Sequence, residues 1–489
     1  VTLAAPVATV DERFLAVGID AAQVVGATWW SSVDAVAGGT AKVAPYDFTR
    51  PVLRKLAAEL APSYLRVGGT EADKIFYDMS ASPVTKAPAP YVDVMTHAQW
   101  DAIDDFARTL GFQVMFTIDA GPGPRAADLS WQPDNARVLL QYAAGKGTPV
   151  ALWELGNEVD AFPVSVSLSF EITPAQFAAD VMTARALVDA TTPGVRFGAP
   201  SSAYWPKAGE LISFYPAFMM AGGGASLDVV TWHYYPQQSH RCPIATVRAD
   251  PSLMFVPGTL DEIDTWAAQV EGAAAGKPVW LGETGNAQCG GEPGESDAFV
   301  GGFWWLDQLA KLARRGQPVV VRQTLSGADY GLIDDATLAP RPDYWTSVLW
   351  RRLMGTGVLS VAASGDPLLR TYAQCTRAGA PGYAKGAVTL VVLNLDQTRA
   401  VSIPIAASLG DEADAYVLSS GDGDGDASAT SSTVSLNGTP LAAAADGTLP
   451  GLPPSVARRS NGALAVTFGP ATYGYVVLPG AAAAACPGG

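Results

Sequence analysis

Residues 151–158 read Ala-Leu-Trp-Glu-Leu-Gly-Asn-Glu, a short apolar run that stops at Gly156 and delivers Asn157 and Glu158 just beyond its end. A run this short with Trp and Leu inside it is a buried strand, and stretches of helical periodicity flank it at 135–145 and 174–189. The same alternation continues in both directions from residue 14 to about 355. It predicts strands at 15–20, 64–68, 114–118, 150–155, 195–199, 229–234, 278–283 and 319–323, with further helices at 100–110 and 260–270. Eight such units make an α/β chain with a (β/α)8 TIM barrel, in preference to a doubly wound sheet, because no strand runs into a Gly-rich dinucleotide fingerprint.

Past residue 355 the pattern changes to strands separated by turn residues, at 387–395, 400–405, 415–418, 463–468 and 473–478. This predicts an antiparallel β-sandwich, which the strand-like N-terminal residues can join. The expected division is a barrel at 14–355 and a sandwich domain of 1–13 plus 356–489. The acidic run at 421–426 lacks the Gly and bidentate Glu of an EF-hand loop and is expected to be a solvated turn.

Composition narrows the function. Against 47 Asp and Glu there are only 31 Lys and Arg, a formal charge of −16, which is the wrong sign for nucleic acid or an anionic membrane. No stretch reads as a membrane span; the uncharged candidates 211–227 and 460–489 are broken by Pro216 and Gly222 and by Gly469-Pro470 and Pro479-Gly480. With 48% hydrophobic residues and 13 Trp the chain is not disordered. It starts at Val1 without a basic n-region and apolar h-region, so any signal peptide is expected to have been removed already or never to have existed. Three histidines (His97, His233, His240) and four cysteines show no ligand spacing, so neither a metal nor a cofactor is expected.

Barrel enzymes place their chemistry at the C-terminal ends of the strands. The fourth strand ends on Asn157-Glu158, and the seventh, Val279-Trp-Leu-Gly-Glu283, ends on a glutamate followed by a Gly-containing loop. These two strands face each other across the barrel mouth. A retaining glycosidase needs two carboxyl groups about 5–5.5 Å apart, one a nucleophile and the other an acid that later acts as base. Either glutamate alone is as well explained by a solvated loop; the pair at two strand ends, with Asn157 beside it, points to catalysis. Glu154 lies inside its strand and is the weaker candidate.

The residues also resemble glycoside hydrolase family 79, the heparanase and β-glucuronidase family. Trp153-Glu-Leu-Gly-Asn-Glu158, Leu281-Gly-Glu-Thr284 and Tyr64-Leu-Arg-Val-Gly-Gly-Thr70 carry the likeness. It continues through Asp128-Leu-Ser-Trp131, Val230-Thr-Trp-His233, Gly302-Phe-Trp-Trp-Leu-Asp307, Val321-Arg-Gln323 and Val434-Ser-Leu-Asn-Gly438. The resemblance implies the same barrel-plus-sandwich fold and a retaining β-glucuronidase, with Glu158 as acid/base and Glu283 as nucleophile. It implies that Asn157 meets the sugar 2-hydroxyl, and that Tyr330 and the backbone N–H groups of Cys289 and Gly290 meet the C6 carboxylate. Asp20, Thr70, His233, Tyr235 and Gln288 are implied near the sugar, with Gln323 lining the barrel end. Heparanases carry Tyr and Gly where this chain has Gln288 and Cys289.

Cys375 and Cys486 match the family's disulfide, which implies an oxidising compartment and a secreted or periplasmic protein. Cys289 has no paired His and is expected to be passive or disulfide-bonded, with Cys242 available and the bond left open. The basic clusters that hold sulfates in heparanases are missing: the segment Ser201-Ser-Ala-Tyr-Trp-Pro-Lys-Ala208 has one Lys, and Glu71 follows Thr70. The expected partner is therefore a glucuronic-acid-containing oligosaccharide or a glucuronide, attacked in the exo mode by a monomer. The alternatives are an endo-acting heparanase-like or hyaluronan-type glucuronidase, a barrel glycosidase for a neutral sugar such as a β-xyloside, and a non-catalytic relative, which loss of either glutamate would mark.

Overall fold

The computed structural model describes residues 6–30, 39–362, 365–421 and 429–486. Eight parallel strands close a barrel: β1 (Leu15–Asp20), β2 (Ser63–Gly68), β3 (Phe112–Ile118), β4 (Val150–Leu155), β5 (Arg196–Tyr204), β6 (Val229–Tyr234), β7 (Val279–Thr284) and β8 (Val320–Arg322). The ring is completed where β8 pairs in parallel with β1, Val320 lying opposite Leu15. The (β/α)8 expectation holds. β5 reaches Tyr204 instead of stopping at 199, because a register shift between Pro200 and Ser202 lets it continue past the proline.

Local sequence explains the helices between the strands. The helix His97–Leu110 begins with a Thr96–Gln99 capping box and stops at Gly111, whose φ of 75° is the left-handed conformation that favours glycine. It buries Trp100, Ile103, Phe106 and Ala107 on one face, the spacing of an amphipathic helix. The helix Gly301–Arg315 is instead buried almost all round, since it is clamped between the barrel and the antiparallel sheet. Phe303 meets Tyr473 of that sheet edge-on, with ring centres 4.8 Å apart.

The antiparallel part is a nine-stranded sheet in which Ala8–Thr9 pairs with Met354–Leu359. The sheet then runs through Leu369–Thr376, Val388–Asn394, Thr472–Leu478 and Glu412–Ser420. Val388–Asn394 and Thr472–Leu478 are buried at every position, because barrel helices cover one face and a second layer covers the other. Among the described residues that second layer is a two-stranded ribbon, Val401–Pro404 with Ala465–Phe468. A disulfide joins Cys375 to Cys486. Residues 422–426 of the acidic run and residues 1–5 lie outside the described residues. Among the described residues no helix is long and apolar enough to cross a membrane.

Candidate active site

At the C-terminal end of the barrel, β4 runs into Gly156 (φ 73°), Asn157 and Glu158 (φ 52°). A left-handed non-glycine residue costs of order 1–3 kcal/mol and persists only where its surroundings hold it. Here the Glu158 N–H donates to the Ser201 carbonyl at 3.1 Å, and the Glu158 carbonyl accepts from Ala161 N–H at 2.7 Å. The side chain is thereby aimed at Glu283 on β7. One carboxylate oxygen of Glu158, one of Glu283 and a ring nitrogen of His233 on β6 all lie within 4.8 Å of one another.

Arg66 on β2 organises this centre. Its Nη1 donates to Glu283 Oε2 at 2.7 Å, and its Nε and Nη2 donate to Glu154 Oε2 at 3.1 and 2.9 Å. Nη2 also reaches Asn157 Oδ1 at 3.0 Å. The other Glu283 oxygen, Oε1, accepts from the Tyr235 hydroxyl at 2.7 Å. Asn157 Oδ1 accepts a second bond from Gly69 N–H at 3.1 Å, and its NH2 end has no partner among the described residues. Glu158, Glu283 and His233 are also the His/Glu grouping that could hold a divalent cation, although the three scattered histidines predicted none. The Arg66 guanidinium already supplies the positive charge at Glu283.

The pair opens into a cavity of about 280 Å3 whose lining includes Asp20, Thr70, Gln288, Gln323 and Tyr330. Asp20 Oδ1 caps a short helix through Ala22 N–H, and its Oδ2 accepts from Gln323 Nε2 at 3.0 Å. His233 and Tyr235 stand behind the glutamates and touch them directly. A hairpin after β1, Thr28–Trp30 with Thr40–Lys42, closes one side, and Glu71 adds a carboxylate to the lining.

The loop after β7 is fixed by the disulfide Cys242–Cys289 and by Arg241, whose Nη1 donates to the Gly291 carbonyl at 2.9 Å. Gly290 has φ 84° and passes so close to Trp30 that a Cβ would sit 2.5 Å from that residue's own Cβ. Its carbonyl accepts from Asp329 N–H at 2.8 Å, while the N–H groups of Cys289 and Gly290 have no acceptor among the described residues. Cys375 and Cys486 lie in the antiparallel region, with no part in this pocket.

The model of glycosyl hydrolase family 79, N-terminal domain, matches residues 1–310. The chain belongs to glycosyl hydrolase family 79. It is 29% identical to heparanase-like protein 1 of Arabidopsis thaliana over 97% of this chain and 92% of that protein. To heparanase of Gallus gallus it is 31% identical over 89% of each. In fold it is similar to a solved 4-O-α-L-rhamnosyl-β-D-glucuronidase of Fusarium oxysporum 12S, with a TM-score of 0.68 and 16% identity over 98% of both chains.

Burial sets the protonation of this family 79 site. It raises the Glu158 carboxyl to about 7 against the opposing pull of Arg66, and it lowers His233 to about 4 despite the nearby Glu283. Between those values both are neutral, and the 3.0 Å contact between Glu158 Oε1 and His233 Nδ1 is a hydrogen bond between neutral groups, not an ion pair. Burial also pushes Asp20 well up, with Glu283 and Glu71 adding to it and the Ala22 N–H opposing. Burial would raise Glu154 too, but Arg66, His233 and the hydroxyls of Ser201 and Thr231 outweigh it and hold Glu154 at about 2.

Sequence reasoning passed over Arg66 and set Glu154 aside, and it did not find Trp29 or Trp30. A lone charge inside an apolar strand, as in Tyr64-Leu-Arg-Val, was the available signal. Arg66 is only 2% exposed between two buried carboxylates. Arg66→Met is therefore expected to lower the unfolding free energy by about 3–5 kcal/mol, because it strands both negative charges. Urea unfolding measures this, and a change below about 1 kcal/mol would contradict the network.

Proposed function

We propose that this family 79 glycosidase is a retaining, exo-acting β-glucuronidase with Glu283 as nucleophile and Glu158 as acid/base. The observation that carries the reading is the pair itself: two carboxyl groups with oxygens within 4.8 Å, one braced by Arg66 and Tyr235, the other kept protonated by burial. That spacing suits direct attack on the sugar and leaves no room for the water that an inverting pair must hold.

In the first step a Glu283 oxygen bonds to the anomeric carbon as the glycosidic C–O bond breaks, and the Glu158 proton passes to the departing oxygen. In the second, Glu158, now a carboxylate, takes a proton from water. The water oxygen bonds to the anomeric carbon, and Glu283 leaves as a carboxylate. The NH2 end of Asn157 is positioned to donate to the 2-hydroxyl.

Glucuronate specificity is assigned to the N–H groups of Cys289 and Gly290, unpaired among the described residues, and to Tyr330, which lines the cavity. Such backbone donors bind a carboxylate without a basic side chain. A sulfated polymer is disfavoured, since Glu71 lines the cavity and Lys207 pairs with Glu262 at 2.9 Å. The exo mode is supported by a cavity of about 280 Å3 walled by the Trp30 hairpin, which is small for a pocket of roughly 300–1,000 Å3. Two disulfides favour a secreted or periplasmic location, and the pairing of Ala8–Thr9 with Met354–Leu359 favours a domain division near residue 355.

A panel of p-nitrophenyl glycosides tests the activity. Turnover of the β-glucuronide is expected; turnover of the β-xyloside alone would overturn the reading. Release of monomeric uronic acid as the sole product from a glucuronate-containing polysaccharide is the result expected of exo action.

A further inference from the structure

Asp73 lies outside the pocket, 1% exposed, in the short turn Thr70–Lys74 that follows β2. Its carboxylate holds the ends of two other strands. Oδ1 accepts the Ala120 N–H at 2.8 Å, just past β3, and Oδ2 accepts the Asn157 N–H at 2.8 Å, just past β4. The loop after β3 lies against it so closely that a Cβ on Gly121 would come within 2.0 Å of the Asp73 carbonyl oxygen. Among the described residues Asp73 makes no ion pair within 4.0 Å, and both of its oxygens are given to backbone donors.

Asn157 sits between two left-handed residues, Gly156 and Glu158. Its N–H is one of three backbone ties that hold this twist, between Gly156 N–H to the Ile118 carbonyl at 2.9 Å and Glu158 N–H to the Ser201 carbonyl at 3.1 Å, and the one of the three made to a side chain. We propose that Asp73 is a positioning residue that sets the turn at Glu158, and with it the direction in which the acid proton is delivered. This rests on Glu158 being the acid. The task needs a carboxyl group with two oxygens, since each takes one backbone N–H on opposite sides. An asparagine of the same shape turns an NH2 toward one of those N–H groups and loses that bond. The cost of an acceptor lost in a buried site then falls on the loop that carries the acid.

Acid catalysis matters in proportion to how poor the leaving group is, which separates positioning from a general loss of structure. The experiment compares kcat/KM for an alkyl β-glucuronide, which needs the proton, with that for a 2,4-dinitrophenyl β-glucuronide, which scarcely does. Asp73→Asn is expected to lose at least about tenfold more on the alkyl substrate than on the aryl one, a part of the roughly 10²–10⁴ that acid–base catalysis supplies. Asp73→Ser, which also keeps a single acceptor, should shift the ratio the same way and serves if the asparagine variant does not fold. Asp119→Asn alters the neighbouring buried carboxyl, which burial holds well above the usual carboxylate range, but leaves both Asp73 hydrogen bonds, so the wild-type ratio should persist. Equal loss on both substrates, no loss on either, or the same shift in Asp119→Asn would overturn the proposal. If wild-type enzyme turned over no glucuronide, the functional reading would fail by itself, and the ratio would be measured on the alkyl and aryl glycosides of whichever sugar it accepts.

Discussion

Glu283→Gln is expected to abolish turnover, with kcat/KM falling by at least about 10⁴-fold on every glycoside regardless of leaving group. The amide is nearly isosteric, so the barrel should fold. What changes is the chemistry of two atoms. Glu283 presents two acceptor oxygens to two donors, Arg66 Nη1 and the Tyr235 hydroxyl, each at 2.7 Å. A glutamine satisfies one donor and opposes the other with its NH2, and its neutral oxygen cannot form a stable ester with the anomeric carbon. Initial rates across the glycoside panel measure the loss. A residual rate above about a hundredth of wild type would move the nucleophile elsewhere.

Glu158→Ala is expected to behave differently. For an alkyl glucuronide kcat/KM should drop by about 10²–10⁴, whereas for a dinitrophenyl glucuronide it should stay near wild type, because that leaving group departs without a proton. The pH profile gives a second readout. Burial raises Glu158 to about 7, and the acid works while protonated, so wild-type kcat/KM should be full on the acid side and fall as pH rises through about 7. The alanine variant should lack that descending limb. A limb that survives in Glu158→Ala belongs to some other group and would remove Glu158 from the role.

Most of the barrel was legible because each strand is a short apolar run bracketed by turn formers, a signal contained in a window of a few residues. β5 was read short because Pro200 is a local stop signal that a bulge overrides. The sandwich was legible as strands and not as layers: which face of Val388–Asn394 meets a helix and which meets a ribbon depends on residues far away in sequence. The site divides in the same way. Glu158 and Glu283 announce themselves by ending strands, but Arg66 meets Glu283 across 217 residues, and nothing near Arg66 says which carboxylate it will find. Cys242 and Cys289 were left open for the same reason, since spacing does not fix pairing.

Closure of the barrel has a consequence in time. β1 is among the first segments of the chain, yet its partner β8 comes at Val320–Arg322, and the pocket contact between Asp20 and Gln323 spans 303 residues. A chain emerging from its N-terminus must hold seven strands with an open edge until the eighth arrives, a long loop closure that local contacts cannot hasten. The family match ends at residue 310, ten residues before β8 begins at Val320. The segment matched by the N-terminal-domain model therefore leaves the ring open by itself, and the barrel closes only with strand residues that follow it.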